Sequence, residues 1–134
     1  MGSVGFFFDE NLPARIARAL EAVQVPVLNA EDEGLQGKSD LDIIKFCQHR
    51  QLVLVTKDRN ILKNPIERDA LSSAGIGVIN VQSGKANLRE LFKLLVKRLE
   101  DMEGVLGEDQ PRVYVLSDRS LQTLDKKLAR RNKR

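Results

Sequence analysis

The run Val4-Gly5-Phe6-Phe7-Phe8 contains no polar residue. A strand with one wet face alternates apolar and polar side chains, so an unbroken run predicts a strand covered on both faces. Leu52-Val53-Leu54-Val55 repeats the pattern. Strands of that type belong to parallel sheets, and the stretches between them must then supply helices.

Those stretches comply. Leu12, Ile16, Ala19, Leu20 and Val23 recur at spacings of three and four, with Arg15, Arg18 and Glu21 off the stripe. Asn11 is placed to cap this helix, and Pro13 is tolerated in its first turn. Residues 25–28 read as a second strand and residues 29–38 as a polar loop. Ser39 starts a helix with Ile43, Ile44 and Cys47 on its buried side. Residues 59–73 read as a loop and helix broken near Asn64-Pro65. Residues 77–81 form a fourth strand. Asn87 caps an amphipathic helix built on Leu88, Leu91, Leu94, Leu95 and Leu99. Residues 113–116 read as a fifth strand and 120–131 as a last helix. The expectation is one α/β domain over residues 1–134, with a mainly parallel sheet of four or five strands. Residues 112–134 are expected to form a basic strand/helix appendage.

Composition agrees with a globular chain: 134 residues, 42% hydrophobic and 31% charged. No apolar run approaches the roughly 20 residues of a membrane span, and no signal-peptide pattern stands at the N-terminus. With the lone Cys47 unable to form an internal disulfide, a cytoplasmic protein is expected, with no membrane partner. From Arg112 to Arg134, eight Lys or Arg face two Asp, against a net charge of +3 for the whole chain. A basic end of this kind fits a polyanion or acidic protein partner, or simply a solvated helix face.

Three acids mark places where strands end or a helix begins. Asp9 follows the first run, Asp58 follows Leu52-Val53-Leu54-Val55-Thr56-Lys57, and Asp40 lies in Gly37-Lys38-Ser39-Asp40. In open parallel sheets, ligands bind outside the carboxyl ends of the strands. Carboxylates brought together there repel unless a cation joins them or some take up protons. The pattern therefore reads first as a divalent-metal site.

Each acid also has a plainer explanation. A charge directly after a buried strand is either a helix cap or a site residue, and Asn11 is better placed than Asp9 to cap. Glu10 points the other way in an extended chain, unless a strand-to-helix bend brings it in. Ser39-Asp40-Leu41-Asp42 fits a capping box, which accounts for Asp42, while the helix dipole favours an anion at Asp40. Asp58 sits in a polar turn, where Thr56 can position its carboxylate and Lys57 and Arg59 can hold phosphate. Other chemistry is poorly served. His49 is the only histidine and has no zinc-binding partners, no Ser or Cys stands at a nucleophile elbow, and Gly34 and Gly37 do not form a phosphate loop.

Together, Phe8-Asp9-Glu10-Asn11-Leu12, then Gly37-Lys38-Ser39-Asp40 heading an Ile-Ile helix, then Val55-Thr56-Lys57-Asp58-Arg59-Asn60 resemble the PIN-like domain superfamily. The closest likeness is to the small PIN-like proteins of prokaryotic toxin–antitoxin operons, related to VapC-type toxins. The likeness covers residues 4–82. It implies a three-layer α/β/α sandwich and a metal-dependent endoribonuclease, the toxin of a type II pair. Asp9, Asp40 and Asp58 match the acidic positions and would hold Mg²⁺ or Mn²⁺. Asn11 and Thr56 match supporting polar positions, with Glu10 and Asn60 beside them. Lys57 and Arg59, with Lys126, Lys127, Arg130 and Arg131 of the tail, would contact RNA phosphates. Besides RNA, the partners expected are a cognate antitoxin and a second copy of the chain. Relatives often carry a further acid where Asn60 stands or after the fourth strand, where this chain has Asn80, Gln82 and Ser83. That leaves open one metal ion or two. The rival expectations are a catalytically weak or inactive PIN-like module that binds RNA or a protein, and a phosphoacceptor receiver domain. The receiver lacks its Thr and Lys after the later strands.

Overall fold

The computed structural model describes residues 2–124. The apolar runs form the middle of the sheet. β1 (Gly5–Phe8) lies between β2 (Val27–Asn29) and β3 (Leu52–Thr56), followed by β4 (Val78–Val81), β5 (Val113–Leu116) and β6 (Leu121–Thr123). The first five strands are parallel, and β6 pairs antiparallel with β5. The sheet thus has six strands where four or five were expected.

Side chains alternate across each strand, so two cores result. Phe6 and Phe8, with Val53 and Val55, pack beneath α1 (Ala14–Ala22), α5 (Leu88–Lys97) and α6 (Leu99–Val105). Phe7, Leu52, Leu54 and Val78 pack on the other face, beneath α2 (Asp40–Arg50), α3 (Asn60–Lys63) and α4 (Pro65–Ala74). The result is the three-layer sandwich. Phe6, Phe7 and Phe8 are each no more than 1% exposed. Burying a side chain of that size contributes about 1.5–3 kcal/mol before entropy is counted.

Strand order fixes where a ligand can bind. From β1 the chain passes through α1 to β2 on one side, then through α2 to β3 on the other. The order β2-β1-β3-β4-β5 places the switch point between the carboxyl ends of β1 and β3. Asp9 and Asp58 leave the sheet there.

Several local expectations change. Pro13, not Asn11, is the N-cap of α1, and no side chain caps that helix. Ala17 rather than Ala19 completes its buried stripe, and Val23 is exposed. The helix begun at Asn87 divides at Arg98 into α5 and α6. The helix expected from Ser120 is replaced over Leu121–Thr123 by β6. A tight turn makes the hairpin: the Ser117 N–H donates to the Ser120 carbonyl at 2.8 Å. Arg98 holds the turn from α5 through the Asp118 carbonyl at 2.7 Å. β5 is a full member of the sheet, with Tyr114 and Leu116 in the core. No helix among the described residues is long and apolar enough to cross a membrane.

Candidate functional site

Alternation along the strands decides which polar groups meet. Thr56 and Asn80 lie on the same sheet face as Phe7, beneath α2 and α4, and they are register partners on β3 and β4. Both are fully buried. Asp9 continues the Phe7 face at the end of β1. The Thr56 hydroxyl accepts the Asp58 N–H at 3.0 Å and donates to the Asp9 carboxylate. One threonine therefore fixes the ends of both central strands.

Each acid is further tied down locally. The Asp9 Oδ1 accepts the Asn11 N–H at 3.0 Å, and the Asn11 amide also bonds its carboxylate. Asn11 thus serves Asp9 instead of capping α1. The Asp58 Oδ1 accepts the Asn60 N–H at 2.8 Å, while the Asn80 amide donates to the Asp58 carbonyl at 2.9 Å. Asp40 occupies the first position of α2, which Ser39 caps by accepting the Asp42 N–H at 3.2 Å. Asp42 is thereby left to the capping turn, and Asp40 faces the cleft.

The loop that carries Asp40 is fastened twice. Arg18 of α1 pairs with Glu31 and Asp32, each at 2.6 Å, and Asp32 closes a turn with Asn29. These partners hold the Asp32 carboxyl down at about 2. Glu10 accepts the Gly37 N–H at 3.2 Å. The bend after β1 has therefore turned Glu10 inward, where it braces the loop. Gly37 lies at φ +75°, a conformation that glycine adopts without strain.

A cavity of about 30 Å³ opens among Asp9, Glu10, Asn11, Lys38, Asp40, Thr56 and Asp58, floored by Ile43, Leu54 and Ile61. It has room for a small ion or one or two waters. A shallower groove of about 520 Å³ shares Asp40 and Asp58 with it, and adds Asn60, Lys63, Asn64 and Glu67. On the other flank, Lys57 borders a depression with Asn11 and Asp58. Arg59 is exposed at the head of α3. Lys126, Lys127, Arg130 and Arg131 lie outside the described residues.

The electrostatics show crowded negative charge. Asp9 is raised to about 6, chiefly by burial, with the Asp58 charge adding to it and the bonds from Thr56 and Asn11 opposing. Glu67 of α4 is raised to about 7 by its hydrogen bond with Asp40, then by burial and the charges of Asp40 and Asp58. Among the described residues, no three acidic, His or Cys side chains stand close enough to enclose one ion. The carboxylates instead interact pairwise in a chain from Asp9 through Asp58 and Glu67 to Asp40. Glu67 and Lys38 were not singled out as site residues by sequence reasoning. Lys38 stood inside a quoted motif. Glu67 reaches the site only because α4 packs beside α2, which no local pattern reveals.

Cys47 lies close enough to Asp9 for its thiol to sense that charge, but burial first pushes the thiol up to about 12. It is core, not a nucleophile.

A three-layer α/β/α sandwich with carboxylates gathered at its switch point has the architecture of a nuclease-type domain. Residues 5–83 match the family model described as PIN like domain, and the chain belongs to that family. No curated protein and no solved structure matches the chain.

Proposed function

We propose that the protein is a divalent-metal-dependent endoribonuclease, acting as the toxin of a type II toxin–antitoxin pair with a cognate antitoxin as partner. The observation that carries this reading is the gathering of Asp9, Asp40 and Asp58 around one cleft at the switch point of a PIN-like sheet.

The donor set fits a hard cation. The site offers carboxylate oxygens with no histidine or thiol ligand, as Mg²⁺ and Mn²⁺ prefer. Asp9 is raised chiefly by burial and Glu67 chiefly by its contact with Asp40, and the charge of Asp58 adds to both. Asp9 and Asp58 would hold the ion, with Asp40 reaching it through water. When bound, such an ion stabilises charge on the phosphodiester oxygens and acidifies water.

The chain's own groups account for the rest. Thr56 and Asn11 orient Asp9, and Thr56 and Asn80 fix the backbone at Asp58. Lys38 lines the cleft and Lys57 borders it, while the exposed Arg59 follows Asp58 in the chain, and these cations can hold substrate phosphates. Single-stranded or looped RNA is the expected substrate, because an unstacked strand can lower its backbone into a carboxylate cleft. The test is cleavage of single-stranded RNA by the purified chain with Mn²⁺, compared with chelator. If wild type and Asp9→Asn prove equally inactive while the chain still binds RNA or an antitoxin, the protein is a binding module on the same fold.

A further inference from the structure

α5 carries more apolar surface than the core uses. Six of its ten residues are apolar, and of these only Leu91, Leu94 and Leu95 are buried. Leu88, Phe92 and Val96 stay exposed, by 36%, 36% and 46%. Single exposed apolar side chains are ordinary on a soluble protein and need no explanation. These three are not scattered. They stand four residues apart, so they form one row along the helix, beside the buried face.

A second row runs parallel to it. Arg89, Lys93 and Lys97 each follow an apolar residue of the first row by one position, about 100° further round the helix. Lys97 pairs with Asp118 at 3.1 Å across a groove of about 530 Å³. No ion pair among the described residues involves Arg89 or Lys93. Glu90, the acid nearest to them in sequence, is held in the capping box of Asn87. None of these side chains lines the carboxylate cleft, and α5 covers the opposite sheet face from α2 and α4.

Charge decides what fits this face. In a two-fold dimer the same patch meets itself, so a second copy brings basic residues and no acids. Docked antiparallel, its basic row lies on the same side as this one and repels it. Residues 125–134 of the chain itself hold six Lys or Arg and one Asp, so they also carry the wrong sign. Nucleic acid suits the basic row but gives Leu88 and Val96 nothing to bury against. An amphipathic helix with acids beside its apolar stripe satisfies both rows at once. We propose that the outer face of α5 docks such a helix of a partner protein. Its apolar residues would lie on Leu88, Phe92 and Val96, and its carboxylates along Arg89 and Lys93. Phe92, central and aromatic, is the anchor. The proposal does not use the cleft and holds whether or not the chain cleaves RNA.

The test is fluorescence anisotropy of a labelled synthetic amphipathic helix of about 18 residues, long enough to form in water, titrated with the full chain. One peptide carries Glu beside its leucine stripe, and a second carries Lys at the same places. The Glu peptide is expected to bind at least about tenfold more tightly than the Lys peptide. Phe92→Asp should weaken that binding by at least about tenfold. Arg89→Glu combined with Lys93→Glu should reverse the preference between the peptides. No binding of the Glu peptide, equal binding of both, or binding untouched by Phe92→Asp overturns the proposal. Should Phe92→Asp fail to fold, the charge-reversed chain decides: a reversed preference supports the proposal, and an unchanged one overturns it. A wild-type dimer in sedimentation that Phe92→Asp dissociates gives the face to a second copy and overturns it. Single-stranded RNA binding that the charge reversal abolishes, with no binding of the Glu peptide, gives the basic row to RNA and overturns it as well.

Discussion

Replacing Asp9 by Asn should stabilise the metal-free protein at pH 8 while abolishing the proposed metal-dependent cleavage. The Asp9 carboxyl lies at about 6 where 3.8 is ordinary, chiefly because it is buried. A displacement of about two pH units, at about 1.4 kcal/mol each, makes ionised Asp9 cost up to about 3 kcal/mol of folding stability. Between pH 4 and 6 the folded chain keeps a proton that the unfolded chain has released, so stability falls as pH rises through that window. The full cost is present above about pH 6 and has gone below about pH 4. Asn carries no charge, and its side-chain oxygen can still accept the Asn11 N–H. It forgoes part of the bond from Thr56, so the expected gain is about 1–3 kcal/mol at pH 8 and close to zero at pH 4. Urea unfolding of both metal-free chains at the two pH values measures this directly. An Asn variant no more stable than wild type at pH 8, or one shifted equally at both pH values, would refute the reasoning.

Other consequences concern the support of the site. Thr56→Val removes the hydroxyl that accepts the Asp58 N–H and donates to Asp9. It should cost about 1–3 kcal/mol through the unpaired N–H. It should also raise Asp9 above its wild-type value, seen as an upward shift of the Asp9 carboxyl in an NMR pH titration; a downward shift would contradict the assignment. Cys47, fully buried with its thiol pushed up to about 12, should resist iodoacetamide at pH 8 in the native chain and react once unfolded. Rapid native alkylation would place that helix face differently.

The central sheet was legible because β1 and β3 are buried on both faces and their side chains show it. The same runs located Asp9 and Asp58, since a charge directly after such a strand must leave the sheet. Asp40 was legible through its helix start, and the Ser39 cap separates it from Asp42. β6 was not legible. It is a three-residue edge strand created by a turn that α5 pins through Arg98, and the residues around it also fit a helix. Asn11 looked like a cap because its residue type prefers that place, yet the Asp9 carboxylate claims its N–H. Glu67 was hidden for a tertiary reason. Its helix shows an ordinary acidic first turn, and only the packing of α4 beside α2 turns that acid toward Asp40.

Cleavage of a single-stranded RNA by the metal-stripped chain, with and without added Mn²⁺, in wild type and Asp58→Asn, tests the proposed activity most directly. Asn at position 58 can still accept the Asn60 N–H, so the turn survives and only the charge is lost. The expected result is cleavage by wild type that needs Mn²⁺ and falls by at least about 10²-fold in Asp58→Asn, on the scale of losing a principal charge-stabilising group. Cleavage that persists in chelator, or an Asp58→Asn variant as active as wild type, would contradict it.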